Sequence, residues 1–598
     1  MLRLLFLFIS IMRVRIPDFL RKMPEQNLLL VLSLVVGVAC GLASVLLKIT
    51  IECIHGALTA WLDGKPESFN VLYLVYPGIG MLLSLLIVRY AVKDNIGHGV
   101  TKVLVAISKN DSKIKAHNTW SSLVTSALTI GFGGSVGAEA PIVYTGAAIG
   151  SNIARLTGMS YRNMTTLLGC GAAGAVAGIF NAPLSGVLFT LEILLFNISM
   201  SSMLPLLIST VSATLVSYLC LGQSTHFTST LEAFSMRNVP YYLVLGLFCA
   251  LCSLYFLRTT LALEDRLGKI RSPYLKWGLC ASMLGLLIFL FPPLYGEGYD
   301  SLSLLLNGEM PDFDGETVLA PLMRGAWSVP VFFLLILLLK VFAMTFTNAG
   351  GGVGGTFGPT LYVGAIAGFV VATSFNLFLP RPVPVSNFVL VGMAGLMAGV
   401  MQAPMTAIFL IAEISGGYDL LVPLIVTSTL SYGITRMVEK YSIYTKRIAQ
   451  TGELLTHDSD QAVLTLLKTS ELVETDFTPV SIDASLRELV EAVSVARRDI
   501  FPVLDSKKRF QGYVSLENIR RDMFRSDLYD TNFVYNYMRS SAAYVYDDEN
   551  MESVMRKFET TGAWNLPVVK KDRTYVGFVS KAKIFSAYRE ELKSFSQD

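Results

Sequence analysis

The sequence predicts an α-helical, polytopic membrane body built on an internal repeat with broken and re-entrant helices, followed by a smaller C-terminal α/β domain. Three observations predict it. Of 598 residues, 53% are hydrophobic and only 16% charged, whereas soluble domains carry about 25% charged residues. The charge is uneven: residues 471–598 hold 40 of the 93 charged side chains, and residues 1–470 hold the other 53. Two apolar blocks of the body recur in the same order further along the chain. A net charge of +3 leaves no basic footprint, so nucleic-acid binding and disorder fit poorly.

Residues 1–26 form the first element. They read as an amphipathic cytoplasmic or interfacial helix, because no small-residue cleavage site follows the apolar stretch. Arg13, Arg15, Arg21 and Lys22 precede the first long apolar run, 27–47, and by the positive-inside rule place the N-terminus in the cytoplasm. Twelve or more further apolar runs follow, from 72–91 to 419–436. Several, such as 119–131, 142–156 and 404–415, are too short to cross a hydrocarbon core of about 30 Å. Gly and Pro interrupt many of them. Such segments are expected as half-helices whose ends face protein or a polar cavity.

The repeat sets the internal boundaries of the body, 27–446, with halves at about 27–220 and 241–436. Residues 133–150 align with 351–368 at an offset of 218, with eight of 18 positions identical. Residues 171–193 align with 392–414 at an offset of 221, with nine of 23 identical, Glu192 and Glu413 among them. In transporters built this way the site lies where the two halves meet. A linker is expected at 447–470. The tail, 471–598, repeats at an offset of 65, in modules of about 471–530 and 533–590. Each module reads as strand, charged turn, strand, helix. All seven cysteines lie in the apolar body; Cys249 and Cys252 form a C-x-x-C without metal spacing and read as buried small hydrophobes.

The chemistry is sought where an ion could be stripped of water without being trapped. Free N–H groups at a helix start attract anions through the positive dipole end, and glycine lets the backbone approach closely. Gly97-His98-Gly99, Gly133-Gly134 and Gly350-Gly351-Gly352 fit that need. Glu139 stands in an otherwise uncharged stretch from Thr119 to Ala154, and an intramembrane carboxylate is a functional candidate. It would compete with an anion at such a helix start, and protonation would remove the competition. Its repeat mate is Phe357, so the fold of the motif does not require the charge. Glu192 and Glu413 are repeat mates and are expected to share a structural role, such as holding a helix end. Lys340, inside an apolar run, either enriches anions near the path or pairs with a carboxylate.

With these residues in place, the chain resembles the CLC family of chloride channels and chloride/proton antiporters. The motifs are Gly97-His98-Gly99-Val100, Gly137-Ala138-Glu139-Ala140-Pro141, Gly355-Thr356-Phe357-Gly358-Pro359, and Tyr444 in a Tyr-Ser-Ile-Tyr-Thr run, in family order. The tail resembles a tandem pair of CBS modules. The resemblance implies inverted halves and a homodimer in the lipid bilayer with one pore per subunit. It implies an anion site formed by Gly137, Thr356, Phe357, Tyr444 and a residue at His98, with Glu139 as the gating glutamate.

Three departures bear on mechanism. Ala138 and Ala140 replace the family's usual Arg and Gly beside the gate, which makes that end of the path less positive. His98 stands where Ser is common; neutral imidazole donates one hydrogen bond to an anion, and the protonated ring adds attraction. Ile193 occupies the position of the antiporters' inner proton-transfer glutamate and carries no proton. The expectation is therefore passive conduction of chloride and similar small anions, gated by protonation of Glu139. Chloride/proton antiport by a non-standard inner route is the alternative, and a CBS-regulated cation transporter a distant one, since the spans offer few carboxylates for a metal ion. In the tail, Asn518 and Lys583 replace the Asp expected to hold a ribose, which argues against adenine-nucleotide binding. No cofactor and no metal is expected beyond bound chloride, and no enzyme motif is present. The expected location is a plasma or inner membrane, with both termini cytoplasmic.

Overall fold

The structure is a computed structural model that describes residues 23–60, 66–194, 200–222, 231–306, 327–450, 467 and 469–596. The expected N-terminal helix lies largely outside the described residues, as does most of the 447–470 linker. The chain divides into two compact units, Met1–Leu454 and Leu455–Asp598.

The first unit is all helical: α1 Glu25–Ala60, α2 Pro66–Leu86, α3 Gly99–Lys109, α4 Ser121–Gly131, α5 Glu139–Thr157, α6 Tyr161–Phe180, α7 Pro183–Phe189, α8 Met200–Leu221, α9 Val239–Gly268, α10 Pro273–Leu290, α11 Tyr299–Leu306, α12 Ser328–Ala349, α13 Phe357–Asn376, α14 Val385–Met401, α15 Pro404–Ile414, α16 Leu421–Val438 and α17 Ile443–Gln450. Among the described residues, nine helical segments are long and apolar enough to cross a membrane. The chain is a membrane protein. Helix α1 continues 13 residues past the apolar run 27–47 because Lys48, Glu52 and His55 turn toward a cavity, where their polar ends are tolerated.

The interruptions follow from local chemistry. Asn181 and Gln402, repeat mates, end α6 and α14 in the left-handed region at φ 56° and 53°. Pro183 and Pro404 then open α7 and α15, since a first helical residue needs no N–H partner. A π-helical turn, Thr190–Leu194, extends α7. The halves pack alike: α5 on α6 as α13 on α14, and α1 on α8 as α9 on α16.

The second unit holds α18 Thr469–Leu472, β1 Val480–Ser481, α19 Leu486–Val495, β2 Ile500–Leu504, β3 Phe510–Ser515, α20 Leu516–Ile519, α21 Val534–Tyr537, β4 Val545–Tyr546, α22 Met551–Thr561, β5 Asn565–Val569, β6 Tyr575–Ser580 and α23 Lys581–Ser596. It forms two three-stranded sheets, β1-β2-β3 and β4-β5-β6. Register repeats with the sequence: Val480 pairs with Val503 in parallel, and Val545 with Val568. Each sheet then turns back through an antiparallel hairpin. Phe477, Phe510, Val569 and Phe578 form one apolar cluster shared by the two copies.

Candidate functional site

The two Gly-rich motifs of the repeat meet at the centre of the first unit. Gly137 and Gly355 pair as an antiparallel bridge: Gly137 N–H donates to Gly355 O at 3.1 Å, and Gly355 N–H to Gly137 O at 2.7 Å. The bridge brings the starts of α5 and α13 side by side. Glu139, the first residue of α5, is 2% exposed. Its Oε1 accepts from the Tyr299 hydroxyl at 2.8 Å, and its Oε2 accepts from Gly358 N–H, in the first turn of α13, at 3.2 Å. Removing a carboxylate from water is costly, and the positive start of α13 partly offsets that cost. The carboxylate thus sits at the helix start of the opposite half, whose positive end favours negative charge. Gly137 makes room for it: a Cβ there would lie 2.0 Å from Glu139 Oε2 and 2.8 Å from Gly358 N.

A second carboxylate lies beside the first. Glu297, in the segment between α10 and α11, accepts at Oε1 from Ala138 N–H, the amide that opens α5, at 2.9 Å. Its segment is pinned by Lys340, fully buried on α12, whose Nζ donates to Gly296 O at 2.9 Å and lies 4.8 Å from the centre of the Tyr362 ring. Lys340 therefore secures the backbone next to a carboxylate. Glu139, Glu297 and Tyr299 line a cavity of 270 Å³ whose other walls include Lys48, Glu52, His55, Tyr295 and Phe180. Sequence reasoning missed Glu297 and Tyr299. They fall between apolar runs, where Tyr-Gly-Glu-Gly-Tyr-Asp reads as an ordinary turn. The available signal was the single carboxylate set between two glycines directly after a span.

The remaining predicted residues occupy the other flank of α13. Thr356, which precedes α13, has its Oγ1 buried next to the Tyr444 hydroxyl without a hydrogen bond of ordinary geometry. Tyr444, on α17, is 2% exposed, and its hydroxyl lies 3.9 Å from Met401 Sδ, a weak acceptor. The Phe357 ring packs on Phe180 and Phe189, with centroids 5.3 and 6.3 Å away. His98 precedes α3 with φ 55°, half-exposed, its Nε2 3.9 Å from Glu264 Oε1. Glu264 in turn accepts two bonds from Arg447, at 2.6 and 3.2 Å. Helix α3 packs on both α5 and α17, closely enough that a Cβ on Gly99 would lie 2.4 Å from Ala140 O. His98, Tyr444 and Glu139 therefore belong to adjacent helices, while the imidazole itself is drawn toward Glu264.

Glu192 and Glu413 sit away from the cavity and cap each other's half. Glu192 accepts from Met405 N–H at 3.2 Å, Thr406 N–H at 2.8 Å and the Thr406 hydroxyl at 2.7 Å. Glu413 accepts from Leu184 N–H at 2.9 Å, Ser185 N–H at 2.8 Å and the Ser185 hydroxyl. Ile193 follows Glu192 in the π turn and is 6% exposed. In the second unit Asn518 Nδ2 donates to Tyr537 O at 3.2 Å. Lys583 is exposed, with its N–H donated to the Ser580 hydroxyl.

Comparison with known proteins agrees with this architecture. The voltage gated chloride channel family matches residues 79–436, and the CBS domain matches residues 534–590. A putative chloride channel protein ClcB-like of Ralstonia nicotianae is 27% identical over 441 residues, 71% of this chain and 97% of that protein. The H(+)/Cl(−) exchange transporter ClcA of Vibrio cholerae is 27% identical over 456 residues, 73% of this chain and 92% of that protein. The crystal structure of a slow cyanobacterial Cl−/H+ antiporter shares the fold, with a TM-score of 0.62 and 22% identity over 72% of this chain and 98% of that one.

Proposed function

The chain belongs to the voltage gated chloride channel family, a family of anion channels and transporters, and from that premise we propose that it exchanges chloride for protons, with Glu139 serving both ions. The observation that carries this reading is the seat of the Glu139 carboxylate on Gly358 N–H. A charged carboxylate there blocks the anion. A proton on it weakens its hold on the amide and frees the helix start, so proton arrival and anion entry are linked at one group. The adjoining Thr356 and Tyr444 hydroxyls support a second, inner anion position, because two buried donors converge there and the Tyr444 hydroxyl has only a weak thioether acceptor at 3.9 Å. His98, at the start of α3, a helix that packs on the Tyr444 helix α17, is assigned to the approach to that position.

Exchange is preferred to passive conduction because curated relatives such as the Vibrio protein carry the exchange name. Ile193 favours the second reading, an acid-opened channel, since a buried isoleucine carries no proton. Exchange therefore requires the inner proton to move by water or by another group. We place the protein in a plasma or inner membrane as a homodimer with one pore per subunit and both termini in the cytoplasm. With the N-terminus inside, the second half of α1 lies at the outer side, and the cavity beside Glu139 opens outward. The tail serves a structural role; Asn518 and Lys583 offer no carboxylate to a ribose.

Purified protein in liposomes tests the proposal. An inward-to-outward chloride gradient should drive protons against their own gradient. Glu139→Gln should abolish that proton movement and leave anion flux. Sustained anion flux with no proton movement in the unaltered chain sinks exchange in favour of the channel.

A further inference from the structure

The cavity next to Glu139 contains a feature that the gate alone does not need. The two repeat-related helix starts each hold a carboxylate from elsewhere. Gly358 N–H of α13 holds Glu139, and Ala138 N–H of α5 holds Glu297. Two neighbouring contacts tie the segments together: Ala138 N–H meets Glu297, and the Glu139 carboxylate meets the Tyr299 hydroxyl. Lys340 fixes this register through the carbonyl of Gly296.

We propose that Glu297 is a second tethered gate, which must give up the start of α5, as Glu139 gives up the start of α13, before an anion enters from the outer cavity. This rests on the reading of Glu139 as gate and deepens it. The step balances simply. A proton from the outer water binds a Glu297 oxygen, and the neutral acid no longer competes for Ala138 N–H. That N–H is then open to an anion, and the proton returns to the same water when the carboxylate re-seats.

The groups that face Glu297 are Glu139 from α5, Lys340 from α12, Lys48, Glu52 and His55 from α1, and Tyr295 and Tyr299 from its own segment. Glu139 opposes its charge, while Lys340 and Lys48 favour it. Two carboxylates lining one cavity titrate as a pair, so a proton on one eases the charge on the other. The external pH dependence of anion flux is then a property of both residues. Glu297 acts on the anion path directly at Ala138 N–H and on Glu139 through charge.

The test is anion flux from liposomes as a function of external pH, for the unaltered chain, Glu297→Gln, Glu297→Asp, Glu139→Gln and the double Gln variant. Gln keeps an oxygen for Ala138 N–H but removes the charge. Glu297→Gln should raise flux at neutral external pH about fivefold, the size of one carboxylate–helix-start interaction. Glu297→Asp keeps a titrating carboxylate at the site and should therefore keep a flux that rises as external pH falls. Glu139→Gln should keep a remnant of pH dependence that the double variant loses. A Glu297→Gln profile that superimposes on the unaltered one overturns the proposal. So does a flat profile for Glu139→Gln alone, which decides the matter even if the Glu297 variants do not assemble. The readout is anion flux, so a chain that moves no protons would remove the exchange reading and leave the second gate standing or falling on these profiles alone.

Discussion

At residue 137 the space for one methyl group separates a seated carboxylate from a displaced one. The Glu139 side chain reaches Gly358 N–H only because Gly137 has no Cβ in the way. In Gly137→Ala the far end of the Glu139 side chain must yield, and the start of α13 must shift with it, because the new Cβ would also lie 2.8 Å from Gly358 N. The variant is expected to assemble and to show raised anion flux at neutral pH with weakened pH dependence. Liposome flux measured across external pH checks it; a profile equal to that of the unaltered chain would mean that the carboxylate is not held where the structure shows it. Glu139 was legible in the sequence because it is the single charge in a long neutral stretch. Glu297 was not, because a charge flanked by glycines between two spans has the pattern of a surface turn, and only the fold brings it against the start of α5.

The elements are held in pairs by reciprocal contacts. Glu192 caps α15 and Glu413 caps α7, each with two backbone N–H groups and one hydroxyl. The equivalence of the two caps predicts equal effects. Glu192→Ala and Glu413→Ala should each destabilise the protein by about 1–3 kcal/mol, as loss of a charged helix cap does. Thermal unfolding in detergent measures this. A large loss for one variant and none for the other would break the symmetry that the contacts describe. The helices of the body were readable from apolar runs, and their interruptions from the Gly and Pro residues that break them. The far half of α1 was not readable as helix, because Lys48, Glu52 and His55 end the apolar pattern while the backbone continues to satisfy itself. The π turn at Thr190–Leu194 also left no mark in the sequence, since its repeat mate in α15 is a regular helix.

Across the whole chain, two repeats generate two kinds of structure. In the body, two halves place two Gly-rich helix starts side by side, and Glu139, where the other copy has Phe357, puts a carboxylate on the start of the opposite half. In the tail, two copies build matching sheets around a shared aromatic cluster. Both repeats are legible in the amino-acid sequence through offsets of 218, 221 and 65 residues. On coupling, Ile193 led the sequence reading to passive conduction with exchange as the alternative, and relatives named as exchange transporters favour that alternative. The most direct measurement is the reversal potential of the protein in a bilayer under a chloride gradient, with and without an opposing pH gradient. Exchange predicts a potential displaced from the chloride Nernst value by the pH gradient. A potential fixed at the chloride value and indifferent to pH would contradict exchange and make the protein a channel.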